Sequence, residues 1–161
     1  MDIGSKINPY DILLANKGFL KIDDVELAEL KDLEIKLTAE TKEVGLMNSS
    51  TKGEVTTSYK GTINFELNKL YSRFKPAILE AAKNLKPFTF NLEASVYKPS
   101  DNDVQERIYI AKAWIKGDVN LFALKSDNDF LSEKYEAGFL IENASFDDEI
   151  ADGENWSSIS D

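Results

Sequence analysis

Apolar and polar residues alternate one by one over several long stretches of this chain and recur at helical spacing clearly in one. Phe88, Phe90, Leu92, Ala94 and Val96 alternate with Thr89, Asn91, Glu93 and Ser95, the period of a strand with one face buried. Ile63, Phe65 and Leu67, set against Thr62, Asn64 and Glu66, predict a strand over Val55–Leu67. Arg107–Ile115 is β-branched and aromatic and runs into the turn signal Gly117-Asp118. Val119–Leu124 and Lys134–Ile141 predict further strands, separated by the polar Ser126–Asp129. Near the start, Phe19–Ile22 is a short extended run followed by Asp23-Asp24, a tight turn because Asp bonds its own backbone. The next stretch, VELAELKDLEIKLTAE, reads two ways. Leu27, Leu30 and Leu37 fit a helical stripe, while Leu33, Ile35 and Leu37 alternate with Glu34, Lys36 and Thr38; the strand is the favoured reading. Gly45–Gly53 is a polar, flexible loop, so the runs on either side predict a long hairpin. The first 18 residues show no period and contain Pro9, which predicts an irregular arm.

The helix lies within Lys69–Lys86. Ser72 is a candidate N-cap, Pro76 falls in or near the first turn, and Phe74, Ile78, Ala81, Ala82 and Leu85 make one apolar face before Pro87 ends it. Lys69, Arg73, Lys75, Lys83 and Lys86 stand against Glu80, so this is a basic segment. Three readings stay open: a solvated face, a nucleic-acid patch, or contact with an acidic surface of an identical or different subunit, such as the acidic end of this chain.

Charge narrows the field. The 161 residues, one domain's worth, are 42% apolar and 30% charged and carry a net charge of −10, which repels polyanions in the mean. There is no cysteine and no histidine, which removes disulfides, thiolate nucleophiles, Cys/His zinc sites and the commonest neutral-pH general base. No Gly-rich phosphate loop or GxSxG elbow is present, and abundant acids make a paired-carboxylate enzyme uninformative to propose. Asp101, Asp103 and Glu106 could gather around calcium, but they lack the glycine and distal Glu of an EF-hand loop; a solvated loop over Pro99–Gln105 is the stronger reading. No metal or cofactor is expected. No run of 18 apolar residues suggests a membrane helix, and MDIGSKINPYDILL does not read as a secretory leader. From Glu142 to Asp161 there is no Lys or Arg; a tail over 147–161 is expected to be flexible alone and to order on a partner.

The stretch YKGTINFELNKLYSRF (Tyr59–Phe74) resembles the most recognisable segment of the tail tube proteins of PBSX-like contractile phages and phage-tail-like bacteriocins. It has a glycine-led strand at Lys60, Gly61 and Thr62, passes through Leu67 and Lys69, and opens a helix with Tyr71, Ser72 and Arg73. VELAELKDLEIKL, FTFNLEASVYKPS and YEAGFLIENASF resemble the family's long strand and later strands. The chain departs at Asp24, where the family usually has glycine, and in its longer acidic end.

The resemblance implies a mainly β subunit with one helix and two packed antiparallel sheets. It implies a single domain over 1–146 with an N-terminal arm, followed by the tail. It further implies hexameric rings whose inner strands join as a β-barrel, stacked inside a contractile sheath as a conduit for DNA or ions. Implied partners are the chain itself, the sheath, baseplate and tail-terminator proteins; DNA would pass without specific binding. The location is a virion or tailocin particle, assembled in the host bacterial cytoplasm. Glu34, Lys36, Thr38, Thr62, Asn64 and Glu66 are candidate lumen residues, expected to present a mostly acidic and neutral surface. Leu46, Met47, Asn48 and Lys52 are candidate inter-ring contacts. Two rivals remain: a carbohydrate- or protein-binding β-sandwich using Tyr97, Tyr109 and Trp114, and a tube component of another injection system.

Overall fold

The computed structural model describes residues 17–98, 104–127 and 129–150. The expected arm, most of the calcium candidate (Asp101 and Asp103) and most of the tail lie outside them. Eight strands form one antiparallel sheet: β1 (Gly18–Ile22), β2 (Val25–Glu26), β3 (Leu30–Gly45), β4 (Lys52–Asn68), β5 (Thr89–Tyr97), β6 (Val104–Lys116), β7 (Ser132–Phe139) and β8 (Ala144–Asp148). Their spatial order is β2-β1-β5-β6-β7-β4-β3, with β8 also on β6. Where two sheets were expected there is one. Its halves, β1/β5/β6 and β7/β4/β3, are joined by a short seam in which Trp114, Ile115 and Lys116 pair with Gly138, Ala137 and Glu136.

Two-residue alternation decides which face is buried. On the core face Leu33, Phe65 and Tyr135 are in register, as are Ile35, Ile63, Ala137 and Ile115. In the other half Leu20 lies beside Ala94, and Ile22 beside Leu92, which lies beside Ile110. Residues from both halves form one core cluster. Leu20, Ile63, Leu92 and Ile110 are fully buried, each contributing about 1.5–3 kcal/mol by leaving water.

β6 serves both halves because it is bulged. Opposite Phe90 and Leu92 lie Ala113 and Ile110, one residue too many, and Lys112 takes φ +54° while its N–H donates to Asn91 Oδ1 (3.1 Å). The extra residue swaps the inward parity, so Ile108 and Ile110 point in before it and Ala113 and Ile115 after it.

The first hairpin turns through Asp23 and Asp24 at φ +49° and +67°. The second position is where the family's glycine would sit without strain. The favoured strand reading of the ambiguous stretch holds, starting at Leu30 after the two-residue β2. α1 is shorter than predicted, Lys75–Lys83, and its N-cap is Phe74 with no side-chain capping bond; Ser72 instead offers its carbonyl to the Lys75 N–H (3.2 Å). Phe74 packs on Tyr135 and Phe88, with ring centroids 5.0 and 5.9 Å away, and Ile78 also packs against the core. Leu85 does not join that face. The helix closes with Lys86 N–H on Ala81 O (2.9 Å) and Leu85 N–H on Ala82 O (3.1 Å), which places Leu85 at φ +54° and leaves it 95% exposed. A side chain in that left-handed conformation costs about 1–2 kcal/mol.

Two further expectations fail. Val119–Leu124 is not a strand: residues 117–131 are irregular where described, and Phe122, Leu124 and Phe130 are 80%, 76% and 95% exposed. An apolar run with no neighbouring strand to pair with does not form a ladder. Asp147 and Asp148, assigned to the tail, belong to β8, where Asp148 lies opposite Arg107.

Candidate assembly surfaces

The six candidate lumen residues come together. On the face of β3 and β4 opposite the core, Glu34 lies across from Asn64, Lys36 from Thr62, and Asp32 from Glu66; β7 continues the rows with Glu136, Gly138 and Lys134. Thr38 extends the face opposite Lys60. The surface is mixed, not acidic. Lys36 pairs with Glu34 (2.5 Å), Lys31 with Glu66 (3.6 Å) and Lys116 with Glu136 (3.6 Å). Glu66 is the least free of the set: its side chain is 12% exposed and accepts from Ser132 Oγ at 2.6 Å. That bond holds its carboxyl below the usual range against the opposing cost of burial, with Lys31 assisting.

The same strand pair then leaves the body. From Thr38–Lys60 to Gly45–Lys52 the ladder continues for eight residues, about 27 Å, exposed on both faces. A bulge between Glu40 and Thr41, where Thr57 Oγ1 donates to Glu40 O (3.1 Å), bends it. The four inter-ring candidates sit at or beside its tip. Met47 is 95% and Leu46 60% exposed, Asn48 turns the chain at φ +61°, and Lys52 lies 3.9 Å from Glu43. Leu37, Val55 and Tyr59 add exposed apolar surface.

Two of the motif residues, Gly61 and Arg73, make contacts that hold the fold. Gly61 is needed because the Phe139 ring lies across it: a Cβ there would stand 2.6 Å from the ring. Arg73, at φ +53°, lies over the Tyr71 ring (4.7 Å) and donates Nε and Nη2 to Glu29 at 2.5 and 2.7 Å. The Arg73 bonds hold the Glu29 carboxyl below its usual range although burial opposes them. Close by, Glu133 takes Lys75 and Lys69 (3.3 Å) as ion partners and accepts from Tyr135 Oη (2.9 Å). Burial pushes Glu133 up, but these bonds outweigh it and its carboxyl is held low. Lys75 also donates to Leu121 O (3.3 Å), tying the irregular 117–131 segment to the helix. Much of the predicted basic surface is therefore internal wiring. Glu29 and Glu133 carried no signal in the sequence, since their partners are remote along the chain.

The aromatics proposed for a binding module are half-buried. Tyr97 packs on Phe19 (5.6 Å), Trp114 covers Gly138, where a Cβ would stand 2.8 Å from the indole, and Tyr109 is half-buried in β6. Among the described residues no group of three or more acids is placed to hold a metal ion.

Residues 5–147 match the family model described as phage tail tube protein. No curated protein matches the chain significantly in sequence. The fold is shared with solved structures of low identity. The tube-terminating cap of the anti-feeding prophage is 9% identical, with TM-score 0.68 over 92% of this chain and 99% of that one. A sheath-tube complex of the PVC extracellular contractile injection system is 7% identical, with TM-score 0.63 over 92% and 99%. Hcp1 of Flavobacterium johnsoniae is 16% identical, with TM-score 0.50 over 81% and 94%.

Proposed function

Because the chain belongs to the phage tail tube protein family, we propose that it works as a tube subunit by closing hexameric rings through its sheet edge and stacking them through the β3–β4 arm. The observation that carries this reading is β3 itself. It is a 16-residue edge strand which, among the described residues, pairs only with β4, has a core on one face and an ion-paired polar surface on the other, and runs on into an arm with no core beneath it. A free edge of that length is an aggregation hazard in a monomer and a pairing surface in a closed ring, where neighbouring sheets join as one barrel of two packed layers. The polar face then lines the bore. Its charges are matched in pairs, so a polyanion meets little net field and passes without a binding trap. The role is structural and non-enzymatic, in a phage or tailocin particle, with a contractile sheath outside and baseplate and terminator proteins at the ends. The half-buried Tyr97, Tyr109 and Trp114 weigh against the binding-module alternative.

Negative-stain microscopy over a concentration series, with mass measurement, tests this. Sixfold rings or tubes with an open bore are expected; a monomer at every concentration, even with preformed tube ends as template, would sink the reading. In a DNA-filled particle, Glu34→Lys with Asn64→Lys should slow ejection, and an unchanged rate would remove the lumen assignment. Glu66 is left intact because replacing it would break its bonds to Ser132 and Lys31.

A further inference from the structure

An exposed leucine is ordinary, and a non-glycine residue at positive φ is only uncommon. Leu85 is both at once, at a helix end where glycine is the residue that costs nothing. Strain kept at a solvent-facing apolar side chain points to a contact that uses it. The surroundings say what kind. Lys83 and Lys86 flank it, both exposed, and Leu79, one turn before Lys83, is 41% exposed. The negative end of the helix dipole is answered by Lys83. The complementary partner is apolar and acidic.

One segment of this chain has that chemistry and lies outside the family match. Residues 149–161 contain Glu149, Asp152, Glu154 and Asp161, no Lys or Arg, and the apolar Ile150, Trp156 and Ile159. β8 ends at the end of the sheet remote from the C-terminus of α1. β8 runs from Ala144 opposite Ile110 to Asp148 opposite Arg107, whereas Leu85 leads through Phe88 into Thr89, opposite Trp114 at the far end of β6. The two ends are about 23 Å apart along the strand. In a head-to-tail stack whose axis follows β6, the end of β8 in one copy would face the helix end of the next, whereas reaching its own helix end would require the chain to reverse.

We propose that the acidic segment 149–161 of one copy docks on the C-terminal end of α1 of a second copy, with Trp156 against Leu85 and its carboxylates on Lys83 and Lys86. The proposal rests on the stacking described above and adds a second, charge-dependent tie between rings.

The absence of cysteine makes the contact directly testable. Leu85→Cys and Trp156→Cys chains, one of them isotopically heavy, are mixed and oxidised, and disulfide-linked dimers are sorted by mass. The mixed dimer should dominate over either like-with-like dimer and should fade at high salt, where exposed charge pairs are screened. No mixed dimer, or a disulfide closing within single chains of the Leu85→Cys/Trp156→Cys double variant, overturns the proposal. Leu85→Gly supplies a variant that does not fail by unfolding. It relieves the strain, so the isolated subunit should melt about 2–4 °C higher while tubes shorten or fall to single rings. Unchanged tubes from Leu85→Gly and from a chain ending at 148 also overturn it. Tubes formed in the absence of any mixed dimer would remove this contact and leave the tail tube reading standing. A wild-type chain that never forms rings would remove that reading by itself.

Discussion

The two halves of the β3–β4 hairpin share one hydrogen-bond ladder and little else. In the half next to the body, Leu33, Ile35, Ile63 and Phe65 face the core, and Arg73–Glu29 and Glu133 pin the following segment to the sheet. In the distal half, beyond Thr38 and Lys60, every residue is exposed on both faces. Backbone pairing alone makes a two-stranded ribbon only marginally stable in water. The body therefore accounts for the stability of the subunit, while the arm leaves its apolar Leu46, Met47 and Val55 exposed. Substitutions in the two halves should separate folding from assembly.

The largest effect is expected from Phe65→Ala. Phe65 is 2% exposed and touches the rings of Tyr135 (5.1 Å, stacked) and Phe74 (6.1 Å, edge-on). Its truncation should cost about 3–5 kcal/mol, a fall in Tm of about 6–20 °C by calorimetry. A fall of the same size from Val55→Ala in the arm would abolish the contrast between the halves.

Next in size is the Arg73–Glu29 pair. The Glu29 side chain is 3% exposed, so Arg73→Ala leaves a carboxylate nearly buried and unpaired, at a cost of about 2–4 kcal/mol. Arg73→Ala with Glu29→Ala should be less damaging than the sum of the single changes. Strict additivity in that double-mutant cycle would mean that the pair is ornamental.

Acid should act through the same region. Glu29, Glu66 and Glu133 are all held below their ordinary value of 4.5. A carboxylate with a lowered folded-state pKa gives stability that is present in full above the unfolded value and is lost as pH falls through the folded one. Tm should stay level down to about pH 4.5 and then decline as the unfolded chain takes up protons first. The decline should be shallower in Glu133→Gln, which has already given up its share. An identical slope would remove Glu133 from the account.

The sequence was most legible where one residue's neighbours decide its state. Strict alternation in Phe88–Val96 located β5, Asp23-Asp24 located the first turn, and Ile63, Phe65 and Leu67 identified the core face of β4 correctly. It was illegible where a distant partner decides. Val119–Leu124 has strand composition and no strand to join. Ser72 has capping chemistry, but Arg73 is drawn to Glu29, 44 residues away, and the helix starts later. One sheet replaced two because the bulge at Lys112 lets β6 pair with both halves, and no local pattern announces which strand will bridge. Alternation on β3 and β4 was enough to put Glu34, Lys36, Thr38, Thr62, Asn64 and Glu66 on one face, yet the charge balance of that face depended on Lys116, Lys134 and Glu136 from strands that sequence did not place beside them.

The smallest effect on the subunit is also the sharpest test of the comparison. Leu46→Ser with Met47→Ser removes two apolar side chains that are 60% and 95% exposed, so the unassembled subunit has almost no burial to lose. Its stability should change by less than about 0.5 kcal/mol in urea titration, as surface substitutions do. If the arm bridges rings, the same variant should form rings that fail to stack, visible as single annuli where the parent chain gives tubes. The two readouts must part company. A variant that loses stability along with stacking would show that the tip is held by its own body, and the arm would then be an ordinary hairpin. A variant that keeps both would leave the free edge of β3, not the arm, as the surface on which copies meet.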